Sequence, residues 1–189
     1  MTVVTWPLSS AWHGVQVEDP AQYHIIVFWD SLSQLEAASP KSYYPILSTD
    51  LPVVESSLQR QLFDINQYPE TALIAPITDM TYMFLKKDKT FEGDLHPILT
   101  KFTQLEGTGA KGAYWGQTTK HDGVSIILIG WDSVQVNFFK ITFSKVLMAH
   151  AHLQEHYDAG KLPAYRELND SAVPVVTFNL KHVDFEKIF

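Results

Sequence analysis

Gly14-Val-Gln-Val-Glu-Asp-Pro-Ala-Gln-Tyr-His-Ile-Ile-Val-Phe-Trp29-Asp30-Ser31 decides how this chain is read, because a second stretch copies its layout. That stretch is Gly116-Gln-Thr-Thr-Lys-His-Asp-Gly-Val-Ser-Ile-Ile-Leu-Ile-Gly-Trp131-Asp132-Ser133. Gly to Trp spans 15 residues in both, and the copies are offset by 102. Gly, Ile25 and Ile127, Trp, Asp and Ser coincide without a gap. The same offset lays Thr71–Ile77 over Val173–Asn179, which read as two late strand-like segments. A repeat of this kind is the first thing to settle in a sequence. It divides the chain into a first unit, residues 1–77, and a second, residues 78–189.

Each copy reads as strand, turn, strand, helix. Trp12–Val17 and Tyr114–Thr119 are short strands that end in charged turns. Ile25–Trp29 and Ile126–Trp131 are β-branched, apolar second strands. Asp30 and Asp132 stand where a helix N-cap belongs. The second copy has more in front: a strand from Met80, then a helix opened by His96-Pro97, striped by Ile98, Leu99, Phe102 and Leu105, and ended by Gly107. Its order is β-α-β-β-α-β. Counting back 102 from Met80 falls before residue 1, so the first copy lacks its leading strand and helix. The expectation is a shortened first unit, or a native start further upstream.

Composition narrows the function. The 189 residues carry 14 Lys plus Arg against 21 Asp plus Glu, a formal charge of −7, and the two Arg are Arg60 and Arg166. Nucleic acid is bound by clustered cations, so it is excluded as a partner. Zero Cys removes disulfides, thiolate metal sites and Cys nucleophiles. No apolar run approaches the roughly 18 residues of a membrane span, and the start has no secretory pattern. The expectation is a cytoplasmic protein with no membrane partner. There is no G-x-S-x-G, P-loop or G-x-G-x-x-G, and Gly107-Thr-Gly109-Ala-Lys-Gly112 follows a helix as a plain loop. No cofactor and no metal is expected.

The repeated unit, with Trp-Asp-Ser closing its second inner strand, resembles the dimeric α+β barrel superfamily. It looks most like the fungal tandem proteins grouped with antibiotic-biosynthesis monooxygenase-like and stress-responsive barrel domains. The resemblance implies an α+β fold, a tandem ferredoxin-like dimeric barrel whose first repeat lacks its leading strand and helix. Each unit would supply a four-stranded antiparallel sheet with helices on one face. A missing strand leaves an open edge that invites a homodimer. The family includes cofactor-free oxygenases, polyketide cyclases, decarboxylases, haem enzymes and proteins without known activity, so the fold leaves function open.

Histidines supply the candidate chemistry. His152-Leu-Gln-Glu155-His156 matches the inverzincin zinc pattern, but the third ligand would have to come from Glu167, Asp184 or Glu186 among 33 remaining residues. At 100° per residue, Phe139, Phe143, Val146, Leu147, His150 and Tyr157 share one stripe of a helix over 133–158, which points His150 inward. Val176, Phe178, Leu180 and His182 share one face of the last strand, and Met80, Tyr82 and Phe84 one face of the strand that opens the second unit. The resemblance brings those two strands together, and in the family's polyketide cyclases a His–Tyr pair between sheet and long helix does acid/base work. His150, Tyr82 and His182 are therefore the catalytic candidates, with Tyr114, Trp131, Phe143, Leu147 and Phe178 as the substrate-binding lining. His24 sits in an otherwise apolar strand where the second copy has Ile126, which hints at a polar group in the first copy's pocket.

These features lead to a cofactor-independent enzyme of cyclase or lyase type, acting on a hydrophobic aromatic or polyketide-like small molecule with a His as general base. Two alternatives stand beside it: a non-catalytic small-molecule-binding or stress-related barrel, and a cofactor-free monooxygenase. Haem held by His150 or His152 is a third.

Overall fold

In the computed structural model, residues 10–37, 61–104, 110–118, 123–131 and 163–188 are described. Among them seven strands form one antiparallel sheet: β1 (Ser10–Gln16), β2 (Tyr23–Phe28), β3 (Phe63–Ile65), β4 (Ile77–Leu85), β5 (Ala110–Thr118), β6 (Val124–Trp131) and β7 (Val176–Lys187). Their order is β2-β1-β7-β4-β6-β5-β3. Among the described residues the helices are α1 (Leu32–Ala37), α2 (Glu70–Leu73), α3 (His96–Phe102) and α4 (Pro163–Ala172), with a π-turn over Phe91–Leu95 ahead of α3.

The two hairpins of the repeat have one register. Gly14 faces His24 and Trp12 faces Ile26 in β1–β2. Gly116 faces Ile126 and Tyr114 faces Leu128 in β5–β6, the same pairs moved by 102. The repeated glycines have a steric reason. A Cβ on Gly14 would lie 2.5 Å from Val183 Cγ1 and 2.9 Å from Phe185 Cδ1, while one on Gly116 would lie 2.8 Å from the Asp64 carbonyl oxygen. Each glycine thus lets a strand from elsewhere in the chain close onto its hairpin: Phe185 of β7 opposite Gly14, and Ile65 of β3 opposite Gly116.

The other segment linked by the offset behaves differently. Thr71–Leu73 is helical and a turn runs to Pro76, so a strand begins only at Ile77; Val173–Val175 is likewise a turn ahead of β7. Leu73 and Ala72 look like strand residues because both are fully buried, but α2 buries them against Gly130, where a Cβ would lie 2.7 Å from Ala72 Cα. Capping also moves by one residue. The Ser31 hydroxyl, rather than the Asp30 carboxylate, accepts from the Gln34 N–H at 3.3 Å, and Gln34 Oε1 reaches back to the Asp30 N–H. Ahead of α3, Thr90 Oγ1 caps Gly93 N–H and the Asp94 carboxylate returns to Thr90 N–H at 2.8 Å. The expected helix at His96-Pro97 is present; its Gly107 stop and the 133–158 helix lie outside the described residues.

Strand alternation sorts the core into two layers. One face carries Ile77, Met83, Ile127, Ile129, Trp131 and Val176 under Phe91, Leu95, Leu99 and Ala172 of the π-turn, α3 and α4. The other carries Trp12, Met80, Ile126, Leu128, Val183 and Phe185, with Ala72 and Leu73 of α2. The second face is concave. Phe63 of β3 lies 6.1 Å from Tyr82 of β4, although β6 and β5 separate those strands in the sheet. At about 4.8 Å per strand a flat sheet would hold them near 14 Å apart. Tyr68, just past β3, reaches β1 and β2 at the far edge: its hydroxyl meets Ser10 Oγ at 2.8 Å and accepts from Trp12 Nε1 at 3.2 Å, and its ring packs on Phe28 at 4.9 Å. Among the described residues the sheet is a curled α+β half-barrel with β2 and β3 as its edge strands.

Candidate functional site

The predicted site residues divide between the two faces. In the β4–β7 ladder Asp79 faces His182 and Tyr82 faces Asn179. Tyr82 stands three residues from Asp79 and so lies on the opposite side of the sheet from His182. Tyr82 and Tyr114 belong to the concave layer, whereas Trp131 and Phe178 pack in the helix-covered layer. The single pocket expected for Tyr82 and His182 is therefore not built by this pair. His150, Phe143 and Leu147 lie outside the described residues. Among the described residues no three metal-ligating side chains are placed to hold one metal ion, and His152, Glu155 and His156 of the zinc pattern lie outside them.

His182 is part of a sealed ion cluster. Its ring is 1% exposed; Nδ1 contacts Glu18 Oε1, and Nε2 lies 3.0 Å from Asp79 Oδ1. The Glu18 carboxylate also accepts from the His182 backbone N–H at 3.3 Å, and Val17 N–H donates to the His182 carbonyl at 2.8 Å. Burial alone would lower the affinity of this imidazole for its proton, but Asp79 and Glu18 outweigh it and raise its pKa to about 9. Burial pushes Glu18 the other way too, and the His182 hydrogen bond and charge hold its carboxyl below the usual range. An imidazolium clamped by two carboxylates ties the turn after β1 to β4 and β7. It has no lone pair free to take a proton, so its chemistry is cohesion.

The concave face carries the reactive arrangement. His24 on β2, Gln16 on β1 and Lys181 on β7 share that face, with Lys181 Nζ and His24 Nε2 each 3.3 Å from Gln16 Oε1. Ammonium only donates, so the Gln16 atom it meets is the carbonyl oxygen. That oxygen cannot donate to His24. The imidazole therefore carries its proton on Nε2 and leaves the Nδ1 lone pair open. Burial first, and Lys181 second, depress the His24 pKa to about 4, with Glu18 opposing weakly, so the ring is neutral at pH 7. Tyr82 is one diagonal position from Lys181, since Met80 faces Lys181. Burial raises its phenol pKa, and its hydroxyl donates to Met80 Sδ at 3.8 Å.

Around these groups Ile26, Phe28, Phe63, Ile65, Tyr82 and Tyr114 remain only partly buried. The far end of the face is plugged by α2, held by Thr78 Oγ1 donating to the Ala72 carbonyl at 2.7 Å and by a 2.6 Å bond between Thr71 Oγ1 and the Tyr114 hydroxyl. The sequence signal for this site was the His24/Ile126 asymmetry. Gln16 and Lys181 gave none, because each looks like an ordinary polar strand residue until β1 and β7 pair. Glu18 was hidden in what reads as a solvated turn.

No sequence-family model matches the chain, and no curated protein matches it. Among solved structures, the chain is similar to a candidate monooxygenase from Lactobacillus acidophilus NCFM, with a TM-score of 0.60 and 9% identity over 97% of this chain and 80% of that one. The likeness is one of fold.

Proposed function

We propose that the chain is a small-molecule enzyme of the α+β barrel kind, built from two related units, that acts without a bound cofactor on an apolar aromatic or polyketide-like substrate seated on the concave face. The observation that supports this is the concave surface itself: half-buried aliphatic and aromatic side chains surround one neutral imidazole and one ammonium. Ligand sites combine an apolar lining with a few convergent polar groups in this way. In this reading His24 is the general base, because its Nδ1 lone pair is open while His182 is sealed between Glu18 and Asp79. The reaction begins with proton abstraction beside a carbonyl and continues as cyclisation or cleavage. The edge strand β2, which pairs with β1 alone among the described strands, supports a homodimer, checked by sedimentation at micromolar concentration, where a 21.5 kDa species would overturn it.

The test uses 1-tetralone, an aryl ketone with exchangeable protons next to its carbonyl. Saturable binding by tryptophan fluorescence and protein-accelerated deuterium exchange, both measured on the intact chain, are expected, with exchange lost in His24→Ala. Binding without exchange would replace the enzyme by a non-catalytic binder, a reading favoured by the partial exposure of the side chains that line the face. Absence of saturable binding would overturn both. Likeness in fold to a candidate monooxygenase supports oxygenation as the other outcome, and dioxygen uptake with the ketone would reveal it.

A further inference from the structure

Strand alternation sorts the charges of the sheet as well as its core. β7 carries Lys181, His182, Asp184, Glu186 and Lys187. Its register runs without a shift, so His182, Asp184 and Glu186 share one side and the two lysines share the concave side. The other strand carboxylates follow the acids of β7. Asp79 meets His182, and Asp64 stands between Phe63 and Ile65, which pack toward the concave layer. Among the described strand residues the concave face thus holds no carboxylate, in a chain whose Asp and Glu outnumber its Lys and Arg by 21 to 14. Lys187 has an aromatic partner there, its ammonium 5.7 Å from the centre of the Trp12 ring. Lys181 is left to a neutral group: its half-buried side chain donates to the Gln16 side-chain oxygen at 3.3 Å and joins no ion pair among the described residues. Glu18, just past the end of β1, is bound to the His182 imidazolium. An ammonium beside apolar side chains attracts an anion more strongly than one in water does, because the local dielectric is low. Ring surface begins next to this charge, with Tyr82 one diagonal position from Lys181 and Phe63 at 6.1 Å from Tyr82.

We infer that Lys181 is a specificity residue of the concave site and selects aromatic carboxylic acids, pairing with the ligand carboxylate while the apolar rings lie against Tyr82 and Phe63. This deepens the reading proposed above and rests on the concave face being the ligand site. One ammonium balances one negative charge, which suits a carboxylate better than a phosphate dianion. Such an acid is already ionised at pH 7, so binding moves no proton. The selection is against neutral ligands of the same shape, which leave the Lys181 charge without a counter-ion. It also leaves a mark on His24. Lys181 is the second cause of the low His24 pKa, after burial, so a carboxylate that offsets the Lys181 charge relieves part of the depression.

The probes are 2-naphthylacetate and 2-naphthylacetamide, which share a shape and differ in charge. Calorimetric titration of the full chain at pH 7 is expected to give the acid at least tenfold tighter binding than the amide. Lys181→Met should abolish that preference while leaving the amide affinity within twofold, and Lys181→Arg should keep it. NMR titration of the unaltered chain supplies a readout that needs no variant: the His24 pKa should rise by at least one unit in the acid complex and stay near 4 in the amide complex. Equal binding of the two probes, a preference that survives Lys181→Met, or a His24 pKa unmoved by the bound acid would each overturn the inference and leave the concave site standing. If neither probe binds, the concave site falls and the inference with it.

Discussion

Gly14 of β1 lies beneath the ring of Phe185 of β7, so close that a methyl group at residue 14 would sit 2.9 Å from Phe185 Cδ1. The Asp184 carbonyl oxygen is closer still and belongs to backbone, which cannot turn aside. This contact joins the first hairpin to the last strand, and its counterpart at Gly116 receives β3. Gly14→Ala should therefore destabilise the chain by about 2 kcal/mol, within the usual range for overpacking. Urea unfolding of Gly14→Ala beside an alanine change at the exposed Ser33 checks it; an unchanged midpoint would mean the strands are not this close.

His182→Gln should cost about 3 kcal/mol, because it leaves Glu18 and Asp79 facing each other without the cation that holds them. The effect has a pH signature. The folded pKa of His182, about 9, is above the ordinary 6.5, so its contribution is complete below 6.5 and is lost as pH rises through 9. Glu18 is lowered in the fold, so its contribution holds above its ordinary 4.5 and fades as pH falls through the folded value. Thermal unfolding from pH 4 to 10 should show a plateau at mildly acidic to neutral pH and an alkaline decline. The decline at His182 should vanish in His182→Gln.

NMR titration of His24 should find a neutral Nε2–H tautomer down to about pH 4. Lys181→Met removes one of the two causes of the depression, so the His24 pKa should rise in that variant. Titration of His24 near 6.5 in the unaltered chain would place the ring in solvent and remove the base from the concave face.

Tyr68→Phe should cost about 1–3 kcal/mol, since it strips the partner from the buried Trp12 indole N–H and from Ser10. The Trp12 fluorescence should change with it. The same substitution at Tyr23, exposed on β2, is the control and should be close to neutral.

Much of the architecture is legible along the chain because it depends on short-range pattern. Strand alternation, the charged turns, Pro97 at the start of α3 and the matched hairpins all arise within a few residues of one another, and the 102-residue offset carries the register of β1–β2 onto β5–β6. The same local logic misleads at Thr71–Leu73, where the complete burial of Ala72 and Leu73 suits a short packed helix as well as a strand. It is also silent about α4, whose Leu168 and Ala172 turn inward only because the sheet lies beneath them.

What sequence alone determined, then, is which residues share a face within one strand, since a period of two needs no partner. What the tertiary structure decided is how the faces of separate strands match. One residue of slip between β4 and β7 would have put Tyr82 opposite Leu180 or Phe178, on the face of His182; the actual register pairs Asp79 with His182 and sends Tyr82 to the other side. The curl of the sheet did the rest, bringing Gln16, His24 and Lys181 to one concave surface and Glu18 to the opposite one. Pairing and curvature depend on the free energy of the whole sheet, to which residues 165 apart, such as Gln16 and Lys181, contribute together and neither contributes alone.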